Sequence, residues 1–249
     1  MSAVLFGVIG LLVLLILLSI RLPVGYSMAF VGLAGFMLMV SPVGGLTMAA
    51  RACWDQFASY NFSVIPLFIL MGQFAFASGI SQRLYDSAHK WLGHMRGGLA
   101  MATVGACAGF AAVCGSSTAT AATMGMVALP EMRRHNYDPA LATGSIAAGG
   151  SMGILIPPSV ILIVYGIMTE QSIGKLFAAG FIPGIMEAVV YIITISIICK
   201  INPKLGPRGP KLPFKSKVAG LWGGTAETMA IFILVLGGLF GGWFTPTEA

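Results

Sequence analysis

The sequence predicts an all-α membrane protein, a multi-span helical bundle with a re-entrant helical hairpin and a broken transmembrane helix. Three observations lead there. Of 249 residues, 57% are hydrophobic and 9% charged, with a mean hydropathy of +0.91, against roughly 25% charged in a soluble domain. At about 20 apolar residues per crossing there is room for roughly seven or eight membrane segments, which excludes a soluble enzyme, a secreted scaffold and a single-span receptor. The 33 glycines are nearly double the usual share of about 7%, more than helix ends require, so some backbone in the bilayer is closely packed or non-helical. Finally, two apolar runs are interrupted midway.

The first span, Met1 to Ile20, has no basic leader and no small-x-small cleavage site, so it reads as retained. A second span follows from about Leu22 to Val40. Ser41 to Tyr60 is a polar connector with Arg51, Trp54 and Asp55, and Trp54 fits an interfacial segment. Asn61 to Ser78 crosses despite Pro66 and Gln73, and Gln82 to Gly97 forms a charged connector.

Gly98 to Pro130 is then apolar for 33 residues, too long for one crossing, with Gly115, Ser116, Ser117 and Thr118 at its middle. The legs, Gly98 to Cys114 and Ala119 to Pro130, reach roughly 25 and 18 Å, short of a hydrocarbon core of about 30 Å. Two short helices meeting at a Gly-Ser-Ser-Thr tip form a re-entrant hairpin, which lipid tolerates only where the tip is buried in protein or lines a cavity. The span from Tyr137 to Met168 is broken by GILIPPS, Gly153 to Ser159. Pro157 and Pro158 each remove a backbone donor and push the residue before them out of helical geometry. Leu176 to Cys199 and about Thr228 to Phe244 complete the crossings.

The basic residues test the hairpin independently. If it enters and leaves on one side, that side receives Arg21, Arg83, Lys90, Arg96, Arg133, Arg134, Lys200, Lys204, Arg208, Lys211, Lys215 and Lys217, and the other only Arg51 and Lys175. This asymmetry is what the positive-inside rule requires. A single crossing would give five inside against nine outside. Two complete crossings keep the same parity as the hairpin. The N-terminus then lies outside the cytoplasm. The net charge of +6 reads as topology, since no aromatic residues interleave with the basic ones as a nucleic-acid platform needs. Cys53, Cys107, Cys114 and Cys199 form no CxxC, and His89, His94 and His135 lack the spacing of a helical metal pair, so the cysteines read as packing residues.

At the tip, the N-terminus of a helix beginning near Thr118 favours an anion. The carbonyls freed at the proline break and the tip hydroxyls instead suit a hard cation such as sodium. An anion and sodium side by side at broken helices are the chemistry of a secondary transporter.

CGSSTATAATMG (Cys114 to Gly125), GSIAAGGSMGILIPPSVILIVYGI (Gly144 to Ile167), SIGKLFAAGFIPG (Ser172 to Gly184), GGWFTPTEA (Gly241 to Ala249) and IPLFILMGQ (Ile65 to Gln73) resemble the large, DctM-like membrane (permease) subunit of tripartite ATP-independent periplasmic (TRAP) transporters. The resemblance covers essentially the whole chain in order. It implies sodium symport of an organic acid anion, such as a C4-dicarboxylate, a sialic acid or a similar carboxylate, delivered by a periplasmic binding protein. It also implies a small four-helix membrane subunit as partner, an inner-membrane location, no cofactor beyond the coupling ion, no enzyme activity, and an elevator mechanism. On the family pattern, Gly115, Ser116, Ser117 and Thr118 match the hairpin tip, and Gly153, Pro157, Pro158 and Ser159 match the break behind it. Sodium would lie at Ser116, Ser117, Gly153 and Pro157. Family members continue past FTPTEA into an inverted second half, so the chain resembles the first half of an inverted-repeat elevator-type transporter and holds half a site.

The corresponding division is scaffold at 1–97, a transport-type region at 98–175 with the hairpin at 98–130 and broken helix at 137–168, a scaffold span at 176–199, a cytoplasmic inter-repeat loop at 200–217 and the first span of a second half at 218–249. The basic run of that loop reads as topology and not as lipid recognition. Glu187, midway along an apolar segment, reads as facing a partner subunit or water, and Glu227 as interfacial. A rival is an intramembrane serine hydrolase using Ser116 or Ser117, which needs a base within reach; another is a non-transporting assembly fragment. The topology is checked by cysteines introduced at Arg134 and Ser2: in intact cells an impermeant reagent is expected to spare the first and label the second, and the reverse pattern refutes the charge count.

Overall fold

The computed structural model describes residues 3–210, 213, 217–218, 220, 225–245 and 248. Their helices are α1 (Ala3–Ser19), α2 (Val24–Met39), α3 (Pro42–Ala58), α4 (Val64–Ala77), α5 (Ile80–Leu92), α6 (Gly98–Cys114), α7 (Ser117–Arg134), α8 (Pro139–Leu155), α9 (Val160–Met168), α10 (Ile173–Ile201) and α11 (Ala226–Phe240), with no strand among the described residues. Ser2, Lys211, Lys215, Pro246 and Thr247, to which the sequence gives roles in topology or motif, lie outside them. Two compact units divide at Phe62 and Ser63.

In the first unit α1 and α2 are apolar all round, as helices surrounded by lipid or protein must be. The Ser41 to Tyr60 connector is largely helical. Ser41 supplies the cap, its Oγ accepting from Gly44 N–H at 2.9 Å, and Pro42 takes the first position, where a missing N–H costs nothing. Trp54 is exposed on α3.

The second unit is built around α6. All of α6 except Gly105, Ala108 and Gly109 is buried, and α5, α7, α8 and α10 pack on it. Such a helix must be thin, and α6 is mostly Gly and Ala. A Cβ added at Gly149 of α8 would lie 2.6 Å from Cys107 Sγ, and one at Gly150 would lie 2.6 Å from the Ala121 Cβ of α7. Glycine is therefore abundant because backbones approach this closely. Three cysteines are buried packing residues as expected, with Cys114 against Gly72 and Cys199 against Gly97, while Cys53 is exposed.

The charged connector after α4 is also mainly helix: α5 turns 61° from α4 and buries Ile80, Leu84 and Tyr85 on one face. Its Arg83 pairs with Glu227 of α11 at the surface. Residues 139–168, taken through their break, and α10 are long and apolar enough to cross a membrane, and α4 with α5 makes a third such element if counted as one bent span. The helices α1, α2, α6 and α11 are apolar but shorter, at 17, 16, 17 and 15 residues.

Both ends of the α6–α7 hairpin lie at the same end of the bundle, where residues 202–209 strap the turns together. Gly97 N–H donates to Gly206 O at 2.9 Å, Gly209 N–H to Gly93 O at 3.0 Å and Asp138 N–H to Leu205 O at 3.0 Å. Tyr137 closes the strap, its hydroxyl donating to Pro207 O at 3.0 Å and accepting from the buried Leu99 N–H at 3.1 Å. Tyr137→Phe leaves that N–H unpaired, so a loss of about 1–3 kcal/mol is expected, read as a lower Tm in detergent together with faster proteolysis of residues 202–209. An unchanged Tm would show that the strap contributes nothing.

Candidate ion and substrate site

Gly115 ends α6 in the left-handed region, with φ +59°, where glycine alone is unstrained. Ser116 then caps α7, its Oγ accepting from Ala119 N–H at 3.5 Å and lying 3.2 Å from Thr118 Oγ1, while Thr120 Oγ1 donates to Ser116 O at 2.7 Å. The second leg is longer than the sequence predicts: α7 begins at Ser117 and passes through Pro130 to Arg134. Pro130 removes only the bond to Met126 O and does not stop the helix.

In the broken span, Ile156 N–H still reaches Met152 O at 2.9 Å, after which the ladder fails. Pro157 and Pro158 offer no donor to the carbonyls of Gly153 and Ile154. The N–H of Val160 turns away from Ile156 O and donates to Gly115 O at 3.3 Å. Ser159 is fully buried, and its Oγ has no hydrogen-bond partner among the described residues.

Tip and break are in contact. A Cβ at Gly153 would lie 2.6 Å from Ser116 C and O and 2.7 Å from Ser117 N; one at Gly115 would lie 2.7 Å from Pro158 O and 3.4 Å from Ser159 Cα. The structure thus brings Gly115, Ser116, Ser117, Gly153, Pro158 and Ser159 to one place. Pro157 is buried on the α10 side, beside Gly180, and Thr118 is exposed. From the strapped end α6 and α8 each run 17 residues to this junction, and α9 continues for nine more, about 13 Å. The tip therefore stops partway along the 139–168 element.

Beside the tip is a cavity of about 250 Å³, with Gln73 of α4, Ser116 and Thr123 among apolar walls that include Phe76, Phe110 and Val160. Gln73 was not singled out for the site from sequence, although a lone amide in an apolar run is such a signal. Also missed were Gly180 and Gly184 of α10, which back the break: a Cβ at the first would meet Leu155 O at 2.8 Å, and at the second Ile156 Cγ1 at 2.7 Å. Their signal is the small-x-x-x-small spacing. Glu187, one turn on, accepts hydrogen bonds from Ser151 Oγ of α8 and Tyr191 OH, both at 2.8 Å, so its carboxylate is engaged within the unit. The hydrogen-bond partners of the Ser116 hydroxyl are Thr118 and Ala119, neither of which is a base that could activate it as a nucleophile.

These features define a class, a multi-pass helical membrane protein whose helical hairpin is seated on a broken span. The chain belongs to the family described as tripartite ATP-independent periplasmic transporter, DctM component, which it matches over residues 11–249. It is 39% identical over 224 residues to a C4-dicarboxylate TRAP transporter large permease protein of Pseudomonas aeruginosa, covering 88% of this chain and 51% of that protein. It is 34% identical to a sialic acid TRAP transporter large permease protein of Vibrio cholerae, covering 94% and 53%. It is 35% identical to an isethionate TRAP transporter permease protein of Oleidesulfovibrio alaskensis, covering 93% and 36%. The chain spans about half the length, or less, of these relatives, which are transporter permeases and not enzymes.

The junction makes opposite predictions for two glycines. Gly153→Ala drives a Cβ into the tip backbone and should lower stability by about 1–3 kcal/mol. Gly125→Ala, with nothing within 4 Å of its Cβ position, should raise it by up to about 1 kcal/mol. Thermal unfolding of both variants checks this, and equal shifts would refute the close contact.

Proposed function

We propose that this chain is part of the membrane subunit of a sodium-coupled secondary transporter that takes up an organic acid anion delivered by a periplasmic binding protein. It works with a small four-helix membrane subunit in the bacterial inner membrane, and its N-terminus is periplasmic. The observation that carries this reading is the tip seated on the break, with the buried Ser159 Oγ, unpartnered among the described residues, and the Gly153 and Ile154 carbonyls, to which Pro157 and Pro158 offer no N–H, beside it.

The donor set fits sodium, because a hard cation takes neutral and anionic oxygens and these oxygens are already desolvated. Ser116, Ser117, Gly153 and Pro157 would hold the ion, and Ser159 adds a hydroxyl. Bound sodium links substrate movement to the ion gradient and offsets an anion's charge. The N-terminus of α7, with Ser116 and Thr118, favours that anion, and Gln73 supplies an amide across the cavity. Relatives named for C4-dicarboxylate, sialic acid and isethionate support an acidic organic substrate. We assign the activity to the whole transporter, in which residues 98–175 act as the moving region of an elevator and this chain supplies one wall of the site.

Thermal unfolding in sodium chloride against choline chloride tests the ion. Sodium at a hundredfold excess over its Kd should stabilise by about 2.7 kcal/mol. Ser159→Ala should cancel the sodium-specific increment while leaving the choline Tm equal or higher, since a buried unpaired hydroxyl costs about 1–3 kcal/mol. An intact sodium shift in that variant removes Ser159 from the site. Uptake independent of sodium, in proteoliposomes holding the assembled transporter, refutes the coupling.

A further inference from the structure

A second polar cavity, of about 420 Å³, lies at the strapped end of the bundle, away from the hairpin tip. The α5–α6 turn lines it with His94 and Arg96, the last turns of α10 with Ser196 and Lys200, and the strap with Arg208. The hydrogen bonds Gly97 N–H to Gly206 O and Gly209 N–H to Gly93 O hold the turn and the strap in register. Three cations far apart in sequence are thereby fixed around one space. The ion pairs among the described residues engage Arg83, Arg134 and His135, and none of them reaches Arg96, Lys200 or Arg208. His94 Nδ1 is buried with no hydrogen-bond partner among the described residues.

We propose that this pocket binds the phosphoryl head group of an anionic phospholipid. Like charges held together without an acid raise the local potential and favour a compact, multivalent anion. Two guanidinium forks, an ammonium and a hydroxyl match the oxygens of a phosphodiester. What selects a lipid over free phosphate is the surface below the pocket. Val189, Ile193 and Ile197 of α10 are exposed, and at four-residue spacing they form one apolar stripe leading to the turn that carries Lys200. Acyl chains lie along the stripe while the phosphate occupies the pocket, the arrangement expected of basic pockets between membrane helices. Sequence alone assigns the charge between Lys200 and Lys217 to topology. The fold adds that Lys200 and Arg208 converge with Arg96, while Lys204 on the same strap stays out of the pocket. The proposal depends on the membrane bundle and not on the transport reading.

The test uses the purified protein in detergent micelles doped with dioleoyl phosphatidylglycerol or dioleoyl phosphatidylcholine, with retained lipid counted by native mass spectrometry. Wild type is expected to retain phosphatidylglycerol in preference to phosphatidylcholine. Arg96→Gln combined with Arg208→Gln should reduce retention about tenfold or more, and Lys204→Gln should leave it unchanged. Arg96→Lys with Arg208→Lys keeps the charge but not the forks and should retain more lipid than the Gln pair and less than wild type, so loss through misfolding is distinguished by this pair and by helical circular dichroism. Equal retention of both lipids, or equal loss in Lys204→Gln, overturns the proposal as unspecific surface charge. Displacement of phosphatidylglycerol by millimolar inorganic phosphate overturns it in favour of a free-ion site.

Discussion

The structure depends on one constraint, that backbone interrupted inside an apolar bundle must be covered by other backbone. The interruptions at Gly115–Ser116 and at 156–159 are each placed against the other. Gly115 O receives the Val160 N–H that the broken helix cannot use, and Gly153 lacks the Cβ that would keep the tip away. Neither break would be tolerable alone in hydrocarbon. Together they leave the Ser159 hydroxyl buried with no hydrogen-bond partner among the described residues.

Around this junction the packing is set by what is missing from side chains. The buried α6 and the facing surfaces of α8 and α10 are rich in Gly and Ala; α8 meets α6 at Gly149 and α7 at Gly150, and α10 meets the end of α8 and the break at Gly180 and Gly184. Lipid gives helices no hydrophobic reason to associate, so close van der Waals contact and interhelical hydrogen bonds must hold them. Glu187 is one of these bonds. Its charge, costly in an apolar segment, is met by Ser151 on the neighbouring helix and helps to hold α10 against α8.

The main signals were legible because they are local. Gly115 to Thr118 in a 33-residue apolar run, and Pro157–Pro158 in the next, mark breaks without reference to any partner. What escaped depends on contacts. The segments holding α3 and α5 read as connectors because an apolar-run criterion detects lipid-facing helices, whereas α5 buries Ile80, Leu84 and Tyr85 together with Ser81 and Ser87. Pro130 read as a helix stop, but near the C-terminal end of α7 its missing donor is tolerated. Gln73 and the Gly180–Gly184 pair carried weak signals whose meaning appears only when α4 and α10 are seen beside the tip and the break. The partners of Glu187 lie 36 residues away and one turn along, beyond any local pattern.

The strap formed by residues 202–209 also bears on how the bundle is made. Its bonds satisfy Gly93 O, Gly97 N–H and Asp138 N–H, groups synthesised 67 to 116 residues before their partners. While the chain is emerging from the ribosome, those turns remain hydrated, and α6 has its small-residue flanks uncovered until α8 and α10 arrive. The strap's bonds can form only once Leu205 to Gly209 have been made, so these turns are latched after the tip and the break have the residues they need to meet.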